Sequence, residues 1–303
     1  MKRKGILFLL LPVCALILTF VTLLPLRTHA MNANSQTARD STPNNHIHYI
    51  RPASYNFAGT SDNLAYNGGP VMAGTAQVYA IFWEPTGSFV SANYNSLILR
   101  YFGDVGSTGL YANNSQYTDS TGAAPSKAVL AGSWVDTSPY SSSTLQDSDI
   151  QNEVTNAQNV NGWTSDITHV FFVFTAQNET ICSGSECSFT TFCGYHSFFG
   201  TNTIYAAMPY VGGVQGCNTP SSPNNDDADS TINVASHEQM ESATDPLLNA
   251  WMDSSGQEIG DKCNFTFATT TASDGSDVTW NNDPYLVQEE WDNAQNGCVI
   301  TGP

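Results

Sequence analysis

The sequence predicts a single α/β domain, built on a mixed sheet with flanking helices and stabilised by disulfides. Three observations support this fold class. Segments rich in β-branched and aromatic residues alternate with segments whose apolar residues recur at helical spacing. Six cysteines follow the N-terminal region. About 240 residues remain for ordered structure, a length that one large domain can accommodate.

The strand predictions rest on short runs of apolar, β-branched and aromatic residues. Residues 169–175 (His-Val-Phe-Phe-Val-Phe-Thr) give the clearest buried strand, because the run is apolar on both faces. The predicted strands cover residues 75–83, 127–135, 169–175 and 203–210.

Helical spacing of apolar residues predicts three helices between these strands. The second helix is only weakly amphipathic. The third can be capped by Asp229 or Ser230 and ends before Pro246, which cannot continue a helix. The predicted helices cover residues 94–102, 147–160 and 229–244.

The N-terminus has the layout of a secretory signal peptide. Lys2-Arg3-Lys4 precedes an apolar run over 5–24, and Thr28-His29-Ala30 offers a cleavage site. We therefore predict a signal peptide over 1–30, a flexible N-terminal segment over 31–65, a domain over 66–303, and secretion. The alternative is an uncleaved anchor, because the apolar run is long enough to span a bilayer.

An even number of cysteines in an exported chain predicts disulfides. Six cysteines allow 15 pairings. We predict the three that close local loops, and a thiol nucleophile or a cysteine-bound zinc is the weaker alternative. The predicted pairs are Cys182–Cys187, Cys193–Cys217 and Cys263–Cys298.

The composition excludes several classes of function. The 303 residues include 27 acidic and 9 basic side chains, which gives a formal net charge of −18. Such a surface repels phosphate backbones and anionic lipids, so we expect no nucleic-acid partner and, after signal cleavage, no membrane partner. A hydrophobic content of 41% is too high for a disordered acidic chain.

The third predicted helix carries the motif His237-Glu238-Gln239-Met240-Glu241. His237 and Glu241 are four residues apart and project from one helical face, so both can bind one cation, while Glu238 can reach a metal-bound water. This is the H-E-x-x-H arrangement of metallohydrolases with Glu in place of the second His. A further ligand is needed, and Glu258 is preferred over Asp261. Zinc is the first choice, with calcium or manganese as alternatives.

Other residues near this motif leave alternatives open. The motif itself can be an exposed helix start whose acidic residues face the helix dipole. Asp245 can orient His237, and the acidic loop 224–229 can hold calcium or simply be solvated. His196 can add a ligand or stabilise an oxyanion, but a surface position in a disulfide loop is favoured. We predict that His169 is structural and place His48 in the flexible N-terminal segment.

The chain also carries an ordered set of short motifs, at residues 67–71 leading into the predicted strand 75–83, and at 192–196, 224–226, 232–246, 249–251, 258–263, 285–286 and 291–292. Together these segments resemble the EXORDIUM-like, or phosphate-induced, protein family over most of the chain, from about Gly68 to Cys298. Plant members are secreted, cell-wall-associated growth proteins, and their positions that match His237 and Glu238 are generally not His-Glu. This chain departs from them by having the complete motif, which implies a microbial-type member with a metallohydrolase-like site.

The expected function is a secreted, metal-dependent hydrolase, specifically a zincin-like peptidase acting on a peptide or cell-wall-associated substrate. Glu238 is the expected catalytic base, and the metal polarises the scissile carbonyl. The alternative is a non-catalytic, secreted cell-surface or cell-wall binding protein that holds a structural ion. An acid glutamic peptidase has only the acidic composition in its favour.

Overall fold

The structure is a computed structural model that describes residues 47–55, 62–269 and 272–302, all within one compact unit. The signal peptide and most of the flexible N-terminal segment predicted from the sequence lie outside the described residues. The described helices are α1 (Tyr94–Val105), α2 (Gly109–Ala112), α3 (Asp147–Asn161) and α4 (Ala228–Thr244), with 3₁₀ helices at Asn113–Gln116 and Asp261–Cys263. None of the helices in these ranges is long and apolar enough to cross a membrane.

The strands form one large sheet and several small ones. The strands are β1 (Ile47–Ile50), β2 (Ala65–Tyr66), β3 (Ala76–Trp83), β4 (Ala128–Asp136), β5 (Leu145–Gln146), β6 (His169–Thr175), β7 (Ile181–Ser183), β8 (Glu186–Cys187), β9 (Gly194–Phe199), β10 (Thr203–Met208), β11 (Trp251–Met252), β12 (Val278–Trp280), β13 (Asp283–Tyr285), β14 (Glu290–Asp292) and β15 (Gly297–Val299).

The main sheet has six strands in the order β1-β9-β10-β6-β3-β4. Its centre is parallel, because β3 pairs in parallel with β4 and β6, and β6 does so with β10. The edge is antiparallel, where β9 pairs with β10 and β1 pairs with β9. The predicted mixed α/β sheet is therefore confirmed, and each predicted strand and helix lies within three residues of an observed one.

Alternate residues of the central strands pack into two hydrophobic clusters, one on each face of the sheet. In β6, Phe172 and Phe174 belong to the cluster that includes α1 and α4, whereas Phe171 and Val173 belong to the cluster that includes α3. This alternation follows from the two-residue repeat of a strand. The sheet is thus covered by helices on both faces, as the continuous apolar run over 169–175 predicts.

Strand β1 corrects the predicted domain boundary. The prediction that residues 31–65 form a flexible segment is wrong for Ile47–Ile50, which pairs with β9 at the edge of the main sheet. Four residues are too few for a reliable strand signal, and their partner strand lies far along the chain. The domain therefore includes β1, and His48 lies within the folded unit.

All three predicted disulfides are present, at Cys182–Cys187, Cys193–Cys217 and Cys263–Cys298. The last two disulfides flank the candidate metal centre. Cys193 directly precedes β9, and Cys263 ends the 3₁₀ helix that begins at Asp261.

Candidate metal centre

Helix α4 is buried along its whole length, although 11 of its 17 residues are polar. Its first turn is held by the acidic loop before it. Asp226 accepts hydrogen bonds from the Ser91 hydroxyl and the Ala228 amide, and Asp229 accepts from the backbone and side-chain nitrogens of Asn224 at 3.0 and 2.7 Å. These carboxylates thus bind protein donors at the start of α4, which argues against the calcium alternative for this loop.

The predicted ligands converge beside the middle of α4. The His237 Nε2 atom lies 3.0 Å from Glu241 Oε1 and 3.8 Å from Asp261 Oδ1. The Asp261 amide donates to the same Glu241 oxygen at 3.1 Å, and the Glu258 amide donates to Asp261 Oδ2 at 3.1 Å. The chain that leads into the 3₁₀ helix therefore brings both candidate third ligands, Glu258 and Asp261, to the face that carries His237 and Glu241.

Two further histidines enter the centre from the sheet. His48 of β1 and His196 of β9 are direct partners in an antiparallel pair, so they project from the same face. That face packs against α4. His48 Nδ1 lies 3.1 Å from Glu258 Oε1, and its Nε2 contacts Asp261 Oδ2.

His196 lies between the motif and Glu258, because its Nε2 atom is 3.7 Å from Glu258 Oε2. Its Nδ1 lies 3.1 Å from Glu238 Oε2 and 3.4 Å from Glu241 Oε2. The prediction that His196 lies on the surface is wrong, because the side chain is 0% exposed. The sequence does contain a signal for it, since Tyr195-His196-Ser197 follows a predicted disulfide cysteine and alternates as a strand.

The orienting partner of His237 is Gln288 rather than Asp245. Asp245 Oδ1 accepts from the amides of residues 249 and 250 at 2.6 and 2.7 Å, so this carboxyl closes the turn after α4. Gln288 Nε2 lies 3.0 Å from His237 Nδ1 and donates to the Gly260 carbonyl at 2.9 Å. With this amide orientation the neutral His237 carries its proton on Nε2. Gln288 Oε1 accepts from the Phe265 amide at 3.2 Å, so turning the amide to accept from Nδ1, as cation binding through Nε2 would require, gives up the bonds to Phe265 and Gly260.

The centre concentrates charge in a buried place. Glu238, Glu241, Glu258 and Asp261 are each no more than 3% exposed, and burial raises the pKa of Glu238 and of Glu258 above their ordinary values. Burial lowers the pKa of His237, but the negative charges of Glu241, Glu238 and Asp261 outweigh it, so the pKa rises to about 10. Protons on the histidines thus balance carboxylate charge that a cation could balance instead.

Several atoms of the centre approach each other without hydrogen bonding. The His237 Nε2 and Glu241 Oε1 atoms, 3.0 Å apart, are not aligned for a hydrogen bond, and neither are His48 Nδ1 and Glu258 Oε1 at 3.1 Å. Buried polar groups normally find partners, because an unpaired one costs about 1–3 kcal/mol. Nitrogen and oxygen atoms at these distances could also serve as ligands of one cation.

Within the described ranges, two groups of residues each offer three ligand atoms that lie within 4.8 Å of one another. One group is His48, Glu241 and Asp261, and the other is His196, Glu238 and Glu241. Glu241 belongs to both. His169, by contrast, lies at the start of β6 with its Nδ1 near the Thr164 carbonyl, where it has a structural role, as the sequence predicts.

No protein-family model, curated protein or solved structure matches this chain. The resemblance to the EXORDIUM-like family therefore stays a prediction, and the function must be argued from the centre itself.

Proposed function

We propose that this protein is a secreted, metal-dependent hydrolase whose cation is held by His237, Glu241 and Asp261, with His48 as an additional ligand. The observation that carries the proposal is the mutual approach of these side chains. His48, Glu241 and Asp261 offer ligand atoms within 4.8 Å of one another, and His237 Nε2, although in neither three-residue group, lies 3.0 Å from Glu241 Oε1 and 3.8 Å from Asp261 Oδ1. Glu258, the third ligand preferred from the sequence, lies beside the group through its contact with His48. The three disulfides support an oxidising, extracellular location.

The donor set favours zinc over calcium. Calcium takes six to eight oxygen ligands, whereas zinc takes nitrogen and oxygen ligands in a four-coordinate shell. Histidines from two strands and one helix surround this centre, and imidazole is a ligand that zinc shares with manganese and other transition metals. Zinc is therefore the proposed cofactor, with manganese as the next choice.

Glu238 is the proposed general base. Its Oε2 atom is held by His196 Nδ1 at 3.1 Å, and its Oε1 atom has no hydrogen-bond partner among the described residues. One oxygen is thus fixed in position while the other can accept a proton from water. Burial raises the pKa of Glu238, which makes it a stronger base than an exposed carboxylate. A bound cation would supply the Lewis acid that polarises the substrate carbonyl.

The substrate we propose is a peptide, either in a protein or in cell-wall material. Its approach would be from the side of His48, whose side chain is 20% exposed, whereas His196, Glu238 and Glu241 are 0% exposed. Substrate contact with the motif therefore requires β1 or its neighbouring loops to move, or the substrate to insert past His48.

The test is a pair of isosteric substitutions measured against quenched peptide libraries and cell-wall peptides. Glu238→Gln should keep the cation held by His237, Glu241 and Asp261 and reduce hydrolysis by about 100-fold or more, since a general base contributes about 10²–10⁴ in rate. His237→Gln should lose both the cation and the activity. His169→Gln, which changes a buried histidine outside the centre, is the matched control. Full activity of Glu238→Gln, or hydrolysis by protein stripped of metal, would contradict the proposal.

The complete burial of His196, Glu238 and Glu241 favours a second candidate, a cell-surface or cell-wall binding protein with a structural ion. In that case chelation should lower the melting temperature while no tested peptide is cleaved by the metal-loaded protein. Chelator-sensitive hydrolysis would decide for the enzyme.

A further inference from the structure

We infer that the centre has a second, weaker cation site, formed by His196, Glu238 and Glu241, whose occupation inhibits the enzyme. We call this trio the inner site and the group of His48, His237, Glu241 and Asp261 the outer site. The inner site would regulate the reaction, so the inhibitory part of the inference rests on the proposed function. The binding part does not.

Glu241 is placed to bridge the two sites. Its Oε1 atom lies 3.0 Å from His237 Nε2 and accepts the Asp261 amide at 3.1 Å, so it belongs to the outer site. Its Oε2 atom lies 3.4 Å from His196 Nδ1. A carboxylate that directs each oxygen at a different group of ligands can bind two cations at once.

The spacing within the inner site fits a single small cation. With metal–ligand bonds of about 2.0–2.1 Å in tetrahedral geometry, two ligands of one zinc ion lie about 3.3 Å apart. His196 Nδ1 lies 3.1 Å from Glu238 Oε2 and 3.4 Å from Glu241 Oε2, and each of the three residues offers a ligand atom within 4.8 Å of those of the other two. A cation could therefore sit between them with little side-chain movement.

The inner site also has unmet bonding capacity. All three side chains are 0% exposed. In the described structure Glu241 Oε2, the oxygen that faces His196 Nδ1, has no hydrogen-bond partner, and neither has Glu238 Oε1. An unpaired buried oxygen next to a histidine nitrogen is costly unless a cation or a proton joins them.

The inner site should fill second. The outer site has two histidines and an additional carboxylate of its own, whereas the inner site has one histidine and shares Glu241. A cation already bound to the outer site also repels the second one. The inner site is therefore expected to take up metal only when the cation is in excess.

Filling the inner site would stop the proposed reaction. Glu238 Oε2 becomes a ligand, and a carboxylate bound to a cation is a poor acceptor of a proton from water. The expected dependence of activity on free zinc is thus a rise as the outer site fills and a fall of about 100-fold or more as the inner site fills, the loss expected when a general base is removed.

The test is equilibrium dialysis of the metal-free, full-length protein against buffered Zn²⁺, with activity measured on the same samples. Wild-type protein should bind two cations, the second more weakly. His196→Gln and Glu238→Gln should each bind one, and the control His169→Gln should bind two. Using two different inner-site variants protects the test against misfolding of either one.

One cation in the wild type, or two in both inner-site variants, would overturn the inner site. Two cations without a loss of activity at high zinc would overturn its inhibitory role. Absence of all hydrolysis would refute the proposed function and the inhibition together. The number of cations bound per chain would still test the existence of the inner site separately.

Discussion

Gly260 leaves room for the His237 ring, and replacing it with alanine should damage the centre by a calculable amount. The backbone of Gly260 is ordinary for any residue, with φ −78° and ψ −40°, so alanine causes no backbone strain. A Cβ at this position would lie only 2.6 Å from His237 Nδ1 and 2.8 Å from its Cγ and Cε1. Non-bonded contacts need about 3.5 Å, so the ring or the backbone must shift by about 0.8 Å.

The ring has little space in which to shift. Gln288 Nε2 lies 3.0 Å from its Nδ1, Glu241 Oε1 lies 3.0 Å from its Nε2, and the side chain is 0% exposed. Overpacking of this kind costs about 1–3 kcal/mol of folding free energy. Metal ligands tolerate displacements of only about 0.2 Å, so we expect the zinc affinity of Gly260→Ala to fall by about tenfold or more.

The assay is competition for zinc against a chromophoric chelator, together with urea unfolding of the metal-free protein. Gly103→Ala is the control, because it lies on an exposed position of α1 where an added Cβ meets nothing within 4 Å. That variant should be more stable by about 0.5–1 kcal/mol and bind zinc normally. A Gly260→Ala protein with wild-type stability and zinc affinity would refute the placement of His237 against Gly260.

Two further predictions concern the surrounding fold. Replacing Cys263 and Cys298 together with serine should lower the unfolding free energy by about 3–4 kcal/mol, as expected for a loop closed over 35 residues, and should weaken zinc binding because Asp261 lies in the same 3₁₀ turn. Unchanged zinc affinity in this double variant would show that the turn is held independently. Burial beside Asp136 raises the pKa of Glu153 to about 7, so the folded protein keeps a proton that the unfolded chain releases above about pH 4.5. Stability from this group is present at low pH and lost as the pH rises through 7. Glu153→Gln should therefore raise the melting temperature at pH 8 more than at pH 5, and identical shifts at both pH values would contradict this.

Most strands and helices that the sequence predicts correctly are long segments in which the apolar residues follow a clear pattern. The apolar run of β6 and the end of α4 before Pro246 each carry their own signal, because burial on both faces and helix termination leave local traces in the sequence. The prediction that Asp229 or Ser230 caps α4 is wrong, because the helix begins at Ala228 and both residues lie inside it. The His-Glu-x-x-Glu spacing likewise places His237 and Glu241 on one face without any knowledge of the fold. Local disulfides follow from short separations between cysteines.

The histidines of the sheet could not be assigned in the same way. His48 lies in a four-residue strand, and it reaches the centre only through pairing with β9, whose His196 is 148 positions later in the sequence. Register between distant strands is a tertiary property that one sequence does not reveal. The same reason explains why the sequence does not reveal the role of Gln288, which contacts His237 from a segment 51 positions away. The sequence therefore predicts half of the centre, the half carried by one helix and the loop that follows it.

The claim that the buried centre binds a divalent cation is tested most directly by the metal content of the purified protein. Protein prepared without chelator should contain about one zinc or other divalent ion per chain, and chelation should lower its melting temperature. The double variant His237→Gln, Glu241→Gln should contain less than about a tenth of that amount and should not respond to chelator. A folded wild-type protein that carries no ion, binds none on titration and melts at the same temperature with chelator would contradict the claim.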